Sequence, residues 1–192
     1  EVYARQLLPS QRGYPLFIPE PSITMPPKYV ERGVDVGDVG IIRNGSFFFV
    51  FSACAAADDP VNHLGVPGGF EPFPLNERLF SKRPNMYGKG SELTAAGVNV
   101  GSINSESSCS EAAVLNMPDG ASSVDYRGLG KLCSYAMRNG ESWYKFVNGE
   151  LGLGAPNGSM CLVTGCDKST TWRIASVPHG SSSNTIALSF TA

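Results

Sequence analysis

Asn44-Gly45 stands between two apolar, β-prone runs, residues 39–43 and 46–51. Asn-Gly tolerates the positive φ angles of a type I′ turn, whose twist matches that of the strands it joins, so the stretch 37–54 predicts a β-hairpin. A turn centred there sets the register: Arg43 faces Ser46, Ile42 faces Phe47, Ile41 faces Phe48, Gly40 faces Phe49 and Val39 faces Val50. Side chains alternate between faces along a strand. One face then carries Ile42, Phe47, Phe49 and Phe51, and the other carries Val39, Ile41, Phe48 and Val50. Two oily faces require a layer on each side, which places the hairpin inside a layered fold. Gly40 leaves room for the Phe49 ring to lie across the neighbouring backbone.

The 192 residues suit one domain, 1–192, with a sizeable core. A formal charge of −2 supplies no basic field for a phosphate backbone, so no nucleic-acid partner is expected. Scarce charge (17%) beside 22 Gly and 14 Pro favours turns and strands over helices. The longest oily run, residues 47–57, is far shorter than a membrane helix requires, so no membrane partner is expected either. The chain begins with Glu1, not Met, and is expected to be processed or excised from a longer protein. Five irregularly spaced cysteines (Cys54, Cys109, Cys133, Cys161, Cys166) read as reduced thiols of a cytoplasmic protein. Asn-Gly-Ser sequons at Asn44 and Asn157 keep secretion as the alternative.

Along the chain, six prolines in residues 1–36 predict an extended arm lying on the core, with one helical turn at 26–33 closed by Gly33. Residues 58–90 form a long irregular stretch of the kind that carries function. A strand pattern resumes at 92–105, a polar insert follows at 105–110, and 112–117 reads as a short buried strand. One long helix is predicted at about 122–148, capped by Ser122 or Ser123. Its apolar stripe would be Leu129, Leu132, Cys133, Ala136, Trp143 and Val147, in phase across Gly140. Three further strands are expected at 160–164, 171–177 and 185–190. The fold class is therefore α+β: mostly antiparallel sheet with a central hairpin at about 38–54 and the helix packed on it.

No catalytic constellation is complete. With only His63 and His179 a His-rich metal site is impossible, and Cys161 and Cys166 would face opposite sides of one strand, so no metal is expected. Cys54 near His63 would need an activated thiol, yet it closes an oily strand where thiols are inert. No Gly-x-Ser-x-Gly elbow is present. Leu132 follows Gly130-Lys131 where a P-loop requires Ser or Thr, and the 152–157 glycine run lacks a following helix, so no cofactor is expected. Binding residues are more plausible. Asp58-Asp59 leaves the hairpin directly, with His63 nearby, and paired carboxylates can hold a cation or a sugar hydroxyl. Asp167-Lys168 with Trp172-Arg173 joins charge to an aromatic plate. Trp143-Tyr144 reads as helix-to-sheet packing.

Five ordered blocks carry a resemblance: YARQLLPSQRGYPLFIPEP, RGVDVGDVGII with GSFFFVF, SSCSEAAVLNMPDGAS, ESWYKFVNG and LVTGCDKSTTW. Together they are similar to a recurrent domain in large predicted proteins of mushroom-forming (basidiomycete) fungi. That family has no established activity, so the resemblance assigns no catalytic residue; it implies a fungal, intracellular, multidomain parent. Phe49 departs from the family, which more often has Asp near that position. The expected function is a non-enzymatic binding module that recognises a protein or small ligand through 58–90 and 167–173. A carbohydrate-binding, lectin-like module using Asp58, Asp59 and Trp172 is the alternative. A hydrolase with a Cys or Ser beside His63 or His179 comes third.

Overall fold

The computed structural model describes residues 2–10, 12–95 and 112–177. The expected strand at 185–190, the second half of the 92–105 strand pattern, the 105–110 insert, Cys109 and His179 lie outside the described residues. The fold is α+β: among the described residues, helices α1 (Val2–Leu7), α2 (Pro27–Arg32) and α3 (Leu129–Lys145) accompany nine short strands in three sheets. The chain divides into two compact units, residues 18–82 with 124–166 and residues 1–17 with 83–123 and 167–192.

The first unit is built on the hairpin of β1 (Asp38–Arg43) and β2 (Ser46–Ser52), with β7 (Met160–Leu162) antiparallel on the free side of β1. Asn44 and Gly45 take φ of 51° and 80°, the left-handed values a type I′ turn needs. Pairing follows the turn from Arg43–Ser46 to Gly40–Phe49, then shifts, so that Val39 faces Phe51 and Asp38 faces Ser52. The extra residue is Val50, and this bulge changes the expected faces. Val50 and Phe51, both fully buried, join Val39 and Ile41 against Trp143, Phe146 and Val147 of the long helix. Phe47 and Phe49 stay on the other face, with Tyr29 of α2 and Val61. Phe48 is left 44% exposed. The ring over Gly40 belongs to Phe47 rather than Phe49: a Cβ there would meet the Phe48 carbonyl oxygen and come within 2.5 Å of Phe47 Cζ.

The long helix starts later than the pattern predicts. Residues 121–126 form strand β6 instead, with Ala121, Ser123 and Tyr126 buried, and α3 begins only after Gly128. Ser122 and Ser123 therefore cap nothing; Ser122 Oγ donates to the Lys168 carbonyl. From Leu129 the helix runs unbroken through Gly140 and widens into a π-turn at Phe146–Glu150. Its buried stripe is Leu132, Tyr135, Trp143, Phe146 and Val147, whereas Leu129 and Cys133 point to solvent.

The 58–90 stretch is anchored rather than loose. Val61, Asn62 and Phe73 are buried, 3-10 turns occupy Pro60–Asn62 and Glu77–Leu79, and β3 (Phe80–Tyr87) follows. Pro84 disguises this strand in the sequence. β3 is tolerant of it as an edge strand, first in the order β3-β6-β8. β8 is Gly165–Lys168.

In the second unit, β4 (Ser91–Thr94), β5 (Ala112–Met117) and β9 (Arg173–Val177) pair antiparallel in the order β4-β5-β9. α1 packs Tyr3 and Leu7 on Ala113, Leu93, Leu115 and Ile174. The arm is thus helical at its start, because the first proline comes only at Pro9.

Candidate functional site

The first unit holds a pocket of about 160 Å³ between α2, the turn before β1 and the chain leaving β2. α2 is the single helical turn expected from the sequence, closed by Gly33 at φ 65°. Lys28 and Arg32 are four residues apart and share one helix face. Asp35 and Asp38 follow at the mouth of the hairpin, and both lysine and arginine meet carboxylates across the pocket.

Arg32 and Asp38 form the floor. Asp38 is fully buried; its Oδ1 and Oδ2 each accept a guanidinium N–H at 2.8 Å, and Oδ2 also accepts the Asp35 N–H at 2.9 Å. Burial pushes the Asp38 carboxyl up, opposed by the bonds from Arg32 and Asp35. Arg32 also donates to the Gly33 carbonyl, and its guanidinium lies over the Tyr29 ring at 5.0 Å. Such a bidentate, ring-backed pair is a fixed part of the fold.

Lys28 and Asp59 form the rim, joined by a single contact of 2.6 Å. Asp59 also caps the 3-10 turn, its Oδ1 accepting the Val61 N–H at 3.0 Å. The lysine bond, followed by the Val61 N–H, lowers the Asp59 carboxyl below its ordinary value. Lys28 is 55% exposed, and an exposed pair of this kind contributes only about 0–1 kcal/mol. The rim therefore opens at little cost, and the floor does not.

Cys54 lines the wall. Burial, with the carboxylates of Asp38 and Asp35 nearby, pushes its thiol up to about 12, so it is neutral and unreactive. Asn62 secures the same region: its Oδ1 accepts the Ser52 N–H and its Nδ2 donates to the Ala56 carbonyl.

Of the binding residues singled out in the sequence, Asp59 lines this pocket, and so does Cys54, the thiol weighed there as a nucleophile. Asp58 sits on an exposed turn beside it. His63 is exposed, with its ring parallel to that of Phe49 at 6.5 Å and Nδ1 3.4 Å from the Val61 carbonyl. Asp167, Lys168, Trp172 and Arg173, expected to join charge to an aromatic plate, belong to the second unit. Asp167 instead pairs with Arg12 (3.1 Å) and accepts from the Tyr87 hydroxyl (3.0 Å), while Arg12 Nε donates to that hydroxyl and its guanidinium lies over the ring at 5.5 Å. Trp172 is half-buried, and Arg173 faces Asn116 on β5. Cys161 and Cys166 are half-buried on separate strands, and no group of His, Cys, Asp and Glu among the described residues could hold a metal ion. No described helix is long and apolar enough to cross a membrane.

Lys28, Arg32, Asp35 and Asp38 escaped notice in the sequence. Their one legible signal is Lys-x3-Arg on a helical turn followed by Asp-x2-Asp at the entry to the hairpin. Comparison with family models, with curated proteins and with solved structures returns no match.

Proposed function

We propose that the chain is a binding module and that its recognition site is the pocket between Lys28, Asp59 and the Arg32–Asp38 floor. One observation carries this reading: a charged concavity with the Lys28–Asp59 ion pair at its rim. Preformed polar groups whose rotamers are fixed from below bind without first being ordered, which lowers the entropic cost of association. The resemblance to the basidiomycete domain is the ground for reading the module as one part of a larger fungal protein, with a protein or small ligand as its partner.

The lectin-like alternative has less behind it. It depends on an open tryptophan platform, whereas Trp172 is half-buried and Asp58 lies outside the pocket. The hydrolase reading draws no help from Cys54, whose thiol stays protonated at neutral pH. A thermal-shift panel of amino acids, amines, sugars, nucleotides and peptides tests the proposal, because a ligand of the native state raises apparent stability. The expected result is a rise in Tm with one class, lost on Asp59→Asn. A rise that Asp59→Asn and Lys28→Met leave intact would move the site elsewhere.

A further inference from the structure

We propose that this pocket takes a small zwitterion, a molecule with one ammonium and one carboxylate group in the manner of a free α-amino acid. The inference rests on the pocket being the binding site. The two ion pairs that frame it differ in what they can release. Asp38 is fully buried, with both oxygens held by Arg32 and one also by the Asp35 N–H, so neither partner is free to turn to a ligand. The Lys28–Asp59 bridge has one contact, at 2.6 Å, between side chains that are 55% and 20% exposed. Ligand exchange therefore falls on the rim.

Once the rim pair separates, each half needs a partner of opposite charge. An amine alone would satisfy Asp59 and strand Lys28; a carboxylate alone would do the reverse. A zwitterion answers both, its carboxylate on Lys28 Nζ and its ammonium on Asp59 Oδ2. Asp59 stays aimed during this exchange because its other oxygen remains on the Val61 N–H. The lining also carries two cations, Lys28 and Arg32, against three carboxylates, Asp35, Asp38 and Asp59, a net charge of −1 that favours a ligand bearing an ammonium group.

Size and wall chemistry narrow the class further. The volume of about 160 Å³ falls below the roughly 300 Å³ typical of pockets for drug-sized ligands and matches a molecule of amino-acid size. Val36, Ala55 and Val61 form the apolar part of a mixed lining, against which a short aliphatic side chain can rest.

Titration of the full chain with L-valine, n-butylamine and butyrate, read by thermal shift and by amide chemical shifts, tests this. Valine is expected to raise Tm with concentration and to move the amides of Lys28, Asp59 and Val61, with either single-charge compound doing markedly less. Lys28→Met and Asp59→Asn, the second retaining an oxygen for the Val61 N–H, should each weaken valine binding by about tenfold or more. No response to valine, or an equal response to butylamine, overturns the zwitterion. If a sugar, nucleotide or peptide instead raises Tm and both substitutions abolish the rise, the pocket stands and only the ligand class falls. If every ligand binds both variants as well as the parent, or none binds at all, the pocket reading falls with it.

Discussion

Two Arg–Tyr–Asp groups in this protein share their chemistry and differ in their surroundings. In one unit Arg32 lies over Tyr29 and grips Asp38; in the other Arg12 lies over Tyr87 and pairs with Asp167. The Asp38 side chain is 0% exposed and Arg32 22%, against 24% for Asp167 and 31% for Arg12. Water decides what each group is worth. Around Arg12, solvent can replace a lost partner. Around Asp38 it cannot, and removing the guanidinium would leave a carboxylate stranded in the core. The buried group can therefore hold a site in shape, while the exposed one can only tether.

Substitutions that break the comparison make this measurable. Arg32→Ala has the largest expected effect, a loss of about 3–5 kcal/mol in chemical denaturation, because Asp38 is left buried and unpaired. Gly40→Ala should cost about 1–3 kcal/mol, since its Cβ has no room between the Phe48 carbonyl and the Phe47 ring on the strand above this group. Arg12→Ala should stay within about 1 kcal/mol. A loss as large as that of Arg32→Ala would show that exposure does not separate the two groups.

Smaller effects sharpen the contrast. Because the folded Asp59 carboxyl is lowered, its contribution is present above its ordinary value of 3.8 and is lost as pH falls through the lowered value. Lys28→Met should therefore reduce stability slightly at neutral pH and make no difference once the pH is below the lowered value, where Asp59 is protonated. Cys54, raised to about 12, works in the opposite direction: its contribution is complete below 9.0 and disappears as pH rises towards 12. At pH 8 it should alkylate more than about tenfold more slowly than exposed Cys133, by mass spectrometry of labelled peptides. Tyr3 gives the smallest change. Its buried hydroxyl has no hydrogen-bond partner among the described residues, so Tyr3→Phe should be neutral or slightly stabilising in thermal denaturation.

How far the fold was legible depended on the range of the forces that made it. The Asn44-Gly45 turn, the register of its nearest pairs and the helical turn ending at Gly33 arise from neighbouring residues, and the sequence displays them. The long helix starts later than the sequence suggests, although Ser122 and Ser123 look like a helix cap. Pairing in the β3-β6-β8 sheet outweighed that local preference. Pro84 hid β3 for a similar reason, since only the sheet order reveals it as an edge strand. In the candidate site, Asp59 was visible as an acidic residue leaving the hairpin. Its partner Lys28 was not, being 31 residues away.

By itself the sequence determined the α+β class, the hairpin at its centre and the requirement that both hairpin faces be covered. Those follow from turn chemistry and from alternating apolar side chains, which act over a few residues. Only the tertiary structure decided that Val50 bulges, that Phe51 turns with it towards α3, and that Asp38 is sealed against Arg32. These outcomes depend on which segments exclude water from one another, a property of the packed chain that no local stretch contains.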